Sequence, residues 1–318
     1  MKAVFLDFST LGPDELDTTP LLQVLPGIEF FDSTEPDLTV SRIRDAEFVL
    51  TNKARLDEVT LASTTRLKFI GLTATGTDNV DLVAARRHGI AVANIRAYCT
   101  RSVVEHVFGV LLGLTHSLNR YHRAVKEGDW RHSDVFCLLD YPIRELSAMT
   151  LGIVGYGELG RGVAAMAKTF GMTTLIARRR GAPAGEDGRT GFNELLERSD
   201  IVSLHCPLTP DTRDLIGAAE LRRMKRNAFL INTARGGLVD SRALVDALRE
   251  GRLAGAGIDV LREEPPVHGD PLLEYSGANL ILTPHIAWAT VEARQNAIAE
   301  LAMNVVAFLE GTSRNRVV

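Results

Sequence analysis

The stretch TLGIVGYGELG at residues 150–160 decides the fold of the chain. An apolar run typical of a buried strand leads into the pattern G-x-G-x-x-G at Gly155, Gly157 and Gly160, and a helix-compatible stretch follows. In such a unit the first glycine permits a tight turn, the second lets backbone approach a pyrophosphate, and the third lets helix pack on strand. The helix N-terminus also offers N–H groups and a positive dipole end to phosphates. The stretch therefore predicts a dinucleotide-binding turn; the alternative is a glycine-rich turn that binds nothing.

Strand-like runs continue on both sides of this turn. They lie at residues 3–8, 28–32, 46–52, 68–74, 90–95, 150–155, 173–177, 201–206, 228–234, 255–260 and 280–286. Helix-compatible stretches separate them, and this alternation is typical of parallel sheets covered on both faces. We expect an α/β fold made of two Rossmann-like, doubly wound parallel-sheet domains with a ligand cleft between them.

Two helical stretches are expected to join the domains, at residues 102–123 and 291–309. No strand follows residue 286 to extend the second sheet, so the last helix should pack on the first domain. With 318 residues the chain is long enough for two domains. The expected division is a discontinuous substrate-binding domain, residues 1–98 plus 287–318, and a dinucleotide-binding domain, residues 99–286.

Helix-end signals occur at the helical stretch 102–123 and at a further predicted helix, residues 240–250. Ser102 and Glu105 match the S-x-x-E capping box at the start of the first one, which explains Glu105 better than a catalytic role. Asp240 is the expected N-cap of a helix over 240–250, and Gly251 is its expected stop signal.

Composition limits the class of protein. A net charge of −4 gives no general attraction to nucleic acid, and no apolar run approaches the length of a membrane span. The N-terminal MKAVFLDF reads as a strand and not as a signal peptide. Three cysteines without a C-x-x-C pair argue against a disulfide framework and against a zinc site, so no metal is expected. The expected location is the cytoplasm.

The second strand of the dinucleotide unit ends in LIARRR, residues 175–180. A dinucleotide fold normally places an acid here to bind the adenosine ribose, yet no Asp or Glu follows until Glu186. Arg178 and Arg179 suit a ribose 2′-phosphate, which a guanidinium binds in a bidentate manner. The pattern favours NADP as cofactor, with NAD possible; the alternative is a solvated basic turn.

Three stretches at strand ends carry the chemistry: INTARGGLVD (231–240), DVLREEPP (259–266) and TPHIAWAT (283–290). Together with GYGELG and HCPLTPDTR they resemble the D-isomer-specific 2-hydroxyacid dehydrogenases along the whole chain, most of all the glycerate dehydrogenases and the hydroxypyruvate or glyoxylate reductases. The resemblance implies hydride transfer between NAD(P)H and a small 2-oxo acid.

The resemblance also implies roles for three residues. Arg235 would bind the substrate, Glu264 would pair with the histidine, and His285 would be the general acid/base. Residue chemistry agrees, because an arginine fork suits a carboxylate and a histidine can protonate the developing alkoxide near neutral pH. Spacing alone does not decide whether Glu263 or Glu264 is the acid that pairs with the histidine. The family pattern places this acid directly before a proline, which selects Glu264.

Further site residues follow from the same resemblance. The loop after the strand at 68–74 would hold the substrate carboxylate through Ala74, Thr75 and Gly76, and a small-residue loop of this kind can offer N–H groups to an anion. Asn52 and Lys53 end another strand and are candidates for the same cleft. Cofactor contacts are implied for Gly155, Tyr156, Gly157, Glu158, Leu159, Gly160, Arg178, Arg179, His205, Cys206, Pro207, Thr212, Thr233, Ala234 and Asp259.

Several alternatives stay open at this point. An NADH-linked glycerate dehydrogenase would use the same residues, and a non-catalytic nucleotide-sensing scaffold could keep them. The resemblance implies a homodimer. Segment 128–146 contains aromatic residues without a clear period, and it is a candidate for an arm that presents Phe136 or Leu138 to the partner subunit. Trp288 either limits the size of the substrate side chain or packs in the core.

Overall fold

The computed structural model describes residues 1–182 and 188–318. The chain divides into two compact units, the first formed by residues 1–99 and 288–318 and the second by residues 100–287. The strands are β1 Ala3–Phe5, β2 Ile28–Phe30, β3 Phe48–Thr51, β4 Phe69–Leu72, β5 Ala91–Ala93, β6 Thr150–Val154, β7 Thr173–Ile176, β8 Ile201–Leu204, β9 Phe229–Asn232, β10 Gly255–Ile258 and β11 Leu280–Leu282. The α-helices are α1 Thr19–Val24, α2 Pro36–Ile43, α3 Glu58–Ala62, α4 Leu82–Arg87, α5 Thr100–Thr115, α6 Leu118–Glu127, α7 Glu158–Thr169, α8 Phe192–Arg198, α9 Ala218–Arg223, α10 Ser241–Arg249 and α11 Val291–Leu309.

The first unit is built on a parallel sheet in the order β2-β1-β3-β4-β5. Its central strands are buried on both faces, as expected for a parallel sheet covered by helices. The expected C-terminal helix is α11, and it packs on this sheet. Phe308 of α11 lies 4.9 Å from Phe69 and 5.7 Å from Phe48, measured between ring centroids.

The second unit is built on a six-stranded parallel sheet in the order β11-β10-β9-β8-β6-β7. From β6 the chain first moves outward to β7 and then returns to the other side of β6 to form β8. A ligand of a doubly wound sheet binds outside the carboxyl ends of the strands at such a reversal. The motif stretches of the second unit, from GYGELG to TPHIAWAT, follow or overlap the carboxyl ends of these strands. The two parallel α/β sheets predicted from the sequence are thus confirmed.

The long helix expected over 102–123 is wrong in two respects. The helix begins earlier, at Thr100, and it is divided into α5 and α6 at Ser117, whose φ of +52° is left-handed and cannot continue an α-helix. The capping box is also wrong. Ser102 is buried within α5, where its hydroxyl donates to the carbonyl oxygen of Ala287 at 2.6 Å.

The two helix-end signals predicted for α10, Asp240 and Gly251, are confirmed. The carboxylate of Asp240 accepts hydrogen bonds from the N–H groups of Arg242 and Ala243 at the start of α10. Gly251 follows the end of α10 with φ of +61°, the left-handed conformation that ends many helices.

None of the helices in residues 1–182 and 188–318 combines the length and apolar character needed to cross a bilayer.

Candidate active site

The glycine turn joins β6 to α7, which is the context that the sequence predicted. Gly155 has φ of +97°, and a Cβ there would lie 2.5 Å from the carbonyl carbon of His205 and 2.6 Å from the nitrogen of Cys206. A Cβ on Gly160 would lie 2.1 Å from the oxygen of Gly155. A Cβ on Gly157, in contrast, would meet no atom of the described residues within 4 Å. The protein's own packing requires the first and third glycines, while the space at the second fits a bound pyrophosphate.

Helix α7 begins within the glycine turn. Gly157 is the N-cap, and Glu158 is the first helical residue, where its side chain is hydrogen-bonded to the hydroxyl of Thr100. Tyr156 is 39% exposed, and Leu159 is partly buried. The N–H groups of the first turn of α7 are thus available to a phosphate next to Gly157.

A cavity of about 710 Å³ opens at the carboxyl ends of β6, β7 and β8. The predicted cofactor residues that line it are Gly155, Tyr156, Arg178, Arg179, Cys206, Pro207 and Thr212. Arg180 and Arg189 line it as well, and the sequence interpretation did not assign a role to either. The cavity is therefore rich in guanidinium groups at the end of β7, where an adenosine ribose would lie in this fold.

The arginines of the triplet differ in their surroundings. Arg180 donates to the carboxylate of Glu220 at 2.9 Å and lies over the ring of Phe192, so the structure itself employs its charge. Arg178 donates to the backbone oxygen of Arg189 at 3.2 Å. Glu186, the first acid after the triplet in sequence, lies outside the described residues.

His205 and Cys206 follow β8 directly beside the glycine turn. Burial lowers the pKa of His205 to about 4. Its Nε2 lies 2.8 Å from the hydroxyl of Ser203, and its buried Nδ1 has no hydrogen-bond partner in the described part of the chain. Burial also raises the pKa of the Cys206 thiol. Both side chains are consequently neutral near pH 7, and neither serves as a charged ligand of the phosphates.

His285 and Glu264 are brought together by the loops after β11 and β10. Nδ1 of His285 lies 2.6 Å from Oε2 of Glu264, while the other carboxylate oxygen accepts from the N–H of Leu261 at 2.9 Å. Because an ionised carboxylate only accepts, Nδ1 carries the hydrogen in this bond. The proton-transfer role implied for His285 would then fall to its other ring nitrogen, Nε2. Glu263, the other acid that spacing allowed, pairs instead with His268 at 2.7 Å.

Arg235 lies at the end of β9, in a loop packed against the loop that carries Glu264. Its Nη1 donates to the oxygen of Ala234 at 2.8 Å, and its own carbonyl accepts from the side chain of Asn232 at 2.9 Å. A Cβ on Gly236 would lie 2.0 Å from the carbonyl carbon of Leu261. Glycine at this position lets the arginine loop and the glutamate loop touch through their backbones.

Two further predicted cofactor residues lie at the ends of β9 and β10. The buried hydroxyl of Thr233 finds no hydrogen-bond partner among residues 1–182 and 188–318, which fits a residue whose partner is a ligand. Asp259 is 2% exposed, and its carboxylate accepts from the hydroxyl of Thr283 at 2.6 Å and from the N–H groups of Ile286 and Ala287, each at 2.9 Å. Its carboxylate thus binds both flanks of His285, a role that the sequence did not indicate.

The loop of the first unit that is predicted to bind substrate, residues 74–76, follows the carboxyl end of β4. The oxygen of Ala74 accepts from the N–H of Ile95 at 3.1 Å, and the oxygen of Thr75 accepts from the side chain of Asn94 at 2.7 Å. Thr75 also donates through its hydroxyl to the oxygen of Ile95 at 3.0 Å. These bonds fix the carbonyl side of the 74–76 loop, which is what a loop needs in order to present its N–H groups to an anion.

Asn52 and Lys53, at the end of the neighbouring β3, are held by a residue that sequence reasoning missed. The buried carboxylate of Asp7 accepts from the N–H groups of Asn52, Lys53 and Ala54 at 2.9, 2.5 and 2.8 Å, and from the hydroxyl of Thr51 at 3.1 Å. The only signal in the sequence was a single acid at the end of an apolar strand.

The sequence does not decide the role of Trp288 or that of segment 128–146. The ring of Trp288 lies 6.4 Å from that of Tyr98 within the first unit. In the segment, Phe136 is 90% exposed, whereas Leu138 is partly buried.

Comparison with known proteins adds the family. A family model described as "D-isomer specific 2-hydroxyacid dehydrogenase, NAD binding domain" matches residues 108–287. The chain belongs to the D-isomer-specific 2-hydroxyacid dehydrogenases. It is 44% identical to a glycerate dehydrogenase from Methylorubrum extorquens over 99% of this chain and 98% of the relative. It is 36% identical to a hydroxypyruvate reductase from Blautia hydrogenotrophica over 99% of each chain.

A solved structure with a nicotinamide cofactor has the same fold. An acyclic imino acid reductase in complex with NADPH and D-Arg superposes with a TM-score of 0.87 at 26% identity, with all of both chains covered. The chain is therefore an NAD(P)-dependent oxidoreductase of this family, and the residues that match the NAD-binding-domain model lie within the second unit.

Proposed function

We propose that this dehydrogenase reduces hydroxypyruvate or glyoxylate to the D-2-hydroxy acid, with NADPH preferred over NADH. The observation that carries the proposal is the His285–Glu264 pair at 2.6 Å, on strand ends next to that of Arg235. The relatives named glycerate dehydrogenase and hydroxypyruvate reductase support the substrate class.

In this proposal the side chains and backbone of the protein supply the proton and the binding groups for the substrate, but not the hydride. When bound, a nicotinamide cofactor would supply the hydride that reduces the carbonyl carbon of the 2-oxo acid. His285, protonated at Nε2, gives its proton to the carbonyl oxygen, and Glu264 holds the ring through Nδ1 and stabilises the imidazolium. Arg235 binds the substrate carboxylate, as do the N–H groups of Ala74, Thr75 and Gly76. In the reverse direction His285 takes the proton from the hydroxyl group.

The cofactor residues fit this chemistry. Gly157 and the first turn of α7 would hold the pyrophosphate, and Thr233 and Ala234 would lie along the nicotinamide half. Arg178 and Arg179 would bind the 2′-phosphate of NADPH, for which hydrogen bonds to a charged group contribute about 1.5–3 kcal/mol each. Arg180 is left out of this role because Glu220 pairs with it.

The activity is tested by steady-state kinetics on glyoxylate, hydroxypyruvate, pyruvate and bulkier 2-oxo acids with both cofactors. His285→Asn is expected to lower kcat by about 10²–10⁴-fold, the usual contribution of a general acid. His268→Asn, which removes an exposed histidine paired with Glu263, is the matched control and should leave kcat unchanged. An His285→Asn variant within about threefold of the wild type would refute the assignment. A wild type that oxidises neither cofactor would favour the nucleotide-sensing scaffold.

Cofactor preference is tested separately with Arg178→Asp. The carboxylate would repel the 2′-phosphate and accept from the ribose hydroxyls, so the NADPH/NADH ratio of kcat/KM should fall by at least about tenfold. Arg198→Asp, at an exposed arginine on α8, controls for the loss of surface charge. An unchanged ratio, or a wild type that prefers NADH, would favour the NADH-linked glycerate dehydrogenase.

The proposed assembly is a homodimer formed through the second unit, in the cytoplasm. Segment 128–146 carries the exposed apolar side chains Trp130, Val135, Phe136, Leu139 and Ile143. Exposed apolar groups clustered in this way are typical of protein interfaces. Light scattering should give a dimer mass at micromolar concentration, and a combined Phe136→Asp and Leu139→Asp variant should give a monomer; a monomeric wild type would remove the proposal.

A further inference from the structure

Residues 283–287 are called the His285 segment. Its backbone adopts a conformation that these residues do not favour by themselves. His285 has φ of +56°, a left-handed conformation that costs a non-glycine residue about 1–2 kcal/mol. Its N–H donates to the oxygen of Asp259 at 2.8 Å and to that of Thr283 at 3.0 Å. A strained residue of this kind persists only when its surroundings fix it.

Helix α5 supplies part of this fixation. The hydroxyl of Ser102 donates to the oxygen of Ala287 at 2.6 Å, and Nε2 of His106 lies 3.1 Å from the hydroxyl of Thr283. Ser102 and His106 are four residues apart, so they lie one turn apart on the same face of α5. The two side chains thus reach the last and the first residue of the His285 segment.

The direction of the His106 bond follows from counting hydrogens. The hydroxyl of Thr283 has one hydrogen, and it is given to the carboxylate of Asp259 at 2.6 Å, because an ionised carboxylate only accepts. The hydroxyl oxygen can therefore only accept from His106, so Nε2 of His106 carries a hydrogen. Nε2 lies 3.7 Å from Oδ1 of Asp259, too far for a direct hydrogen bond of ordinary length.

We propose that Ser102 and His106 are positioning residues that clamp the two ends of the His285 segment and so aim the imidazole of His285. The inference rests on the proposed function, since it assumes that His285 transfers the proton. Neither side chain needs to touch substrate or cofactor for this role. Their partners lie far away in sequence, so the clamp forms only when α5 packs against β10 and β11.

The test compares His106→Leu, which removes the donor, with His106→Gln, whose amide can place an N–H group near the position of Nε2. A misplacement of about 1 Å can cost about 10²-fold in rate, so His106→Leu should lower kcat with hydroxypyruvate by about 10–100-fold. KM for NADPH should stay within about threefold, and His106→Gln should regain most of the lost kcat. His116→Leu, the same change just beyond the end of α5, is the matched control.

A second variant and a second readout guard against a simple loss of folding. Ser102→Ala should lower kcat by about tenfold on the same grounds, and the primary isotope effect from NADPH deuterated at C4 should rise in both variants as hydride transfer becomes slower. A His106→Leu kcat within twofold of the wild type, or equal losses for Leu and Gln, would overturn the clamp while leaving the proposed function intact. A wild type without turnover on any 2-oxo acid would overturn both.

Discussion

Lowering the pH should destabilise the protein through His205, because its buried imidazole resists the proton that an unfolded chain accepts readily. The pKa of His205 falls from 6.5 to about 4 on burial. Between these values the unfolded state binds more protons, so the free energy of unfolding decreases as the pH falls. The full difference, at about 1.4 kcal/mol per pKa unit, is about 3 kcal/mol, and about 2 kcal/mol of it is lost by pH 5.

The assay is urea unfolding at pH values from 7.5 to 5.0 for the wild type and His205→Gln. Glutamine does not titrate, so the stability of the wild type relative to the variant should decline by about 2 kcal/mol over this range. His122→Gln, at an exposed histidine on α6, serves as the control and should follow the wild type. In NMR spectra of the imidazole groups, the resonance missing from His205→Gln should not titrate between pH 5.5 and 8.

A constant difference between wild type and His205→Gln, within 0.5 kcal/mol from pH 7.5 to 5.0, would refute the reasoning. So would an NMR titration of His205 with a midpoint near 6.5. Either result would mean that water or another group reaches Nδ1 and stabilises the charged ring.

Three further outcomes follow from the same contacts. Gly236→Ala should lower the free energy of unfolding by about 3 kcal/mol, because its Cβ would meet the backbone of Leu261, which cannot rotate away; urea unfolding measures this. Asp7→Asn should cost about 2 kcal/mol, because an amide cannot accept from every donor around this buried carboxylate, and thermal unfolding should show a lower Tm. Glu264→Gln should lower kcat by about 10–100-fold with little change in stability, because His285 loses its charged partner.

Each of these three has a matched control. Gly109→Ala should be neutral or stabilising, because a Cβ there meets no atom within 4 Å in the described part of the chain. Asp14→Asn changes an exposed acid of the first unit and should leave Tm unchanged. Glu263→Gln should keep the wild-type kcat; a loss equal to that of Glu264→Gln would mean that the pair with His285 does not set the rate. A Gly236→Ala or Asp7→Asn variant as stable as the wild type would contradict the packing described for these two positions.

Much of the fold could be predicted because its signals are local. Apolar runs bounded by polar residues mark the eleven strands found in residues 1–182 and 188–318, and the glycine pattern at 155–160 marks the turn between β6 and α7. Asp240 and Gly251 predicted the ends of α10, since capping depends on neighbours within one turn. The division of the long helix at Ser117 escaped prediction because no glycine or proline stands there.

The partners of buried polar groups were decided by the tertiary structure alone. Ser102 matched a local capping pattern, yet its hydroxyl binds Ala287, 185 residues away, and His106 binds Thr283, 177 residues away. A capping pattern and a long-range hydrogen bond use the same residue types, so the sequence does not distinguish them. The motifs name the residues that would do the chemistry, whereas the packing of helix on sheet brings together the donors and acceptors that hold them, because a buried polar group must find its partner wherever the fold places one.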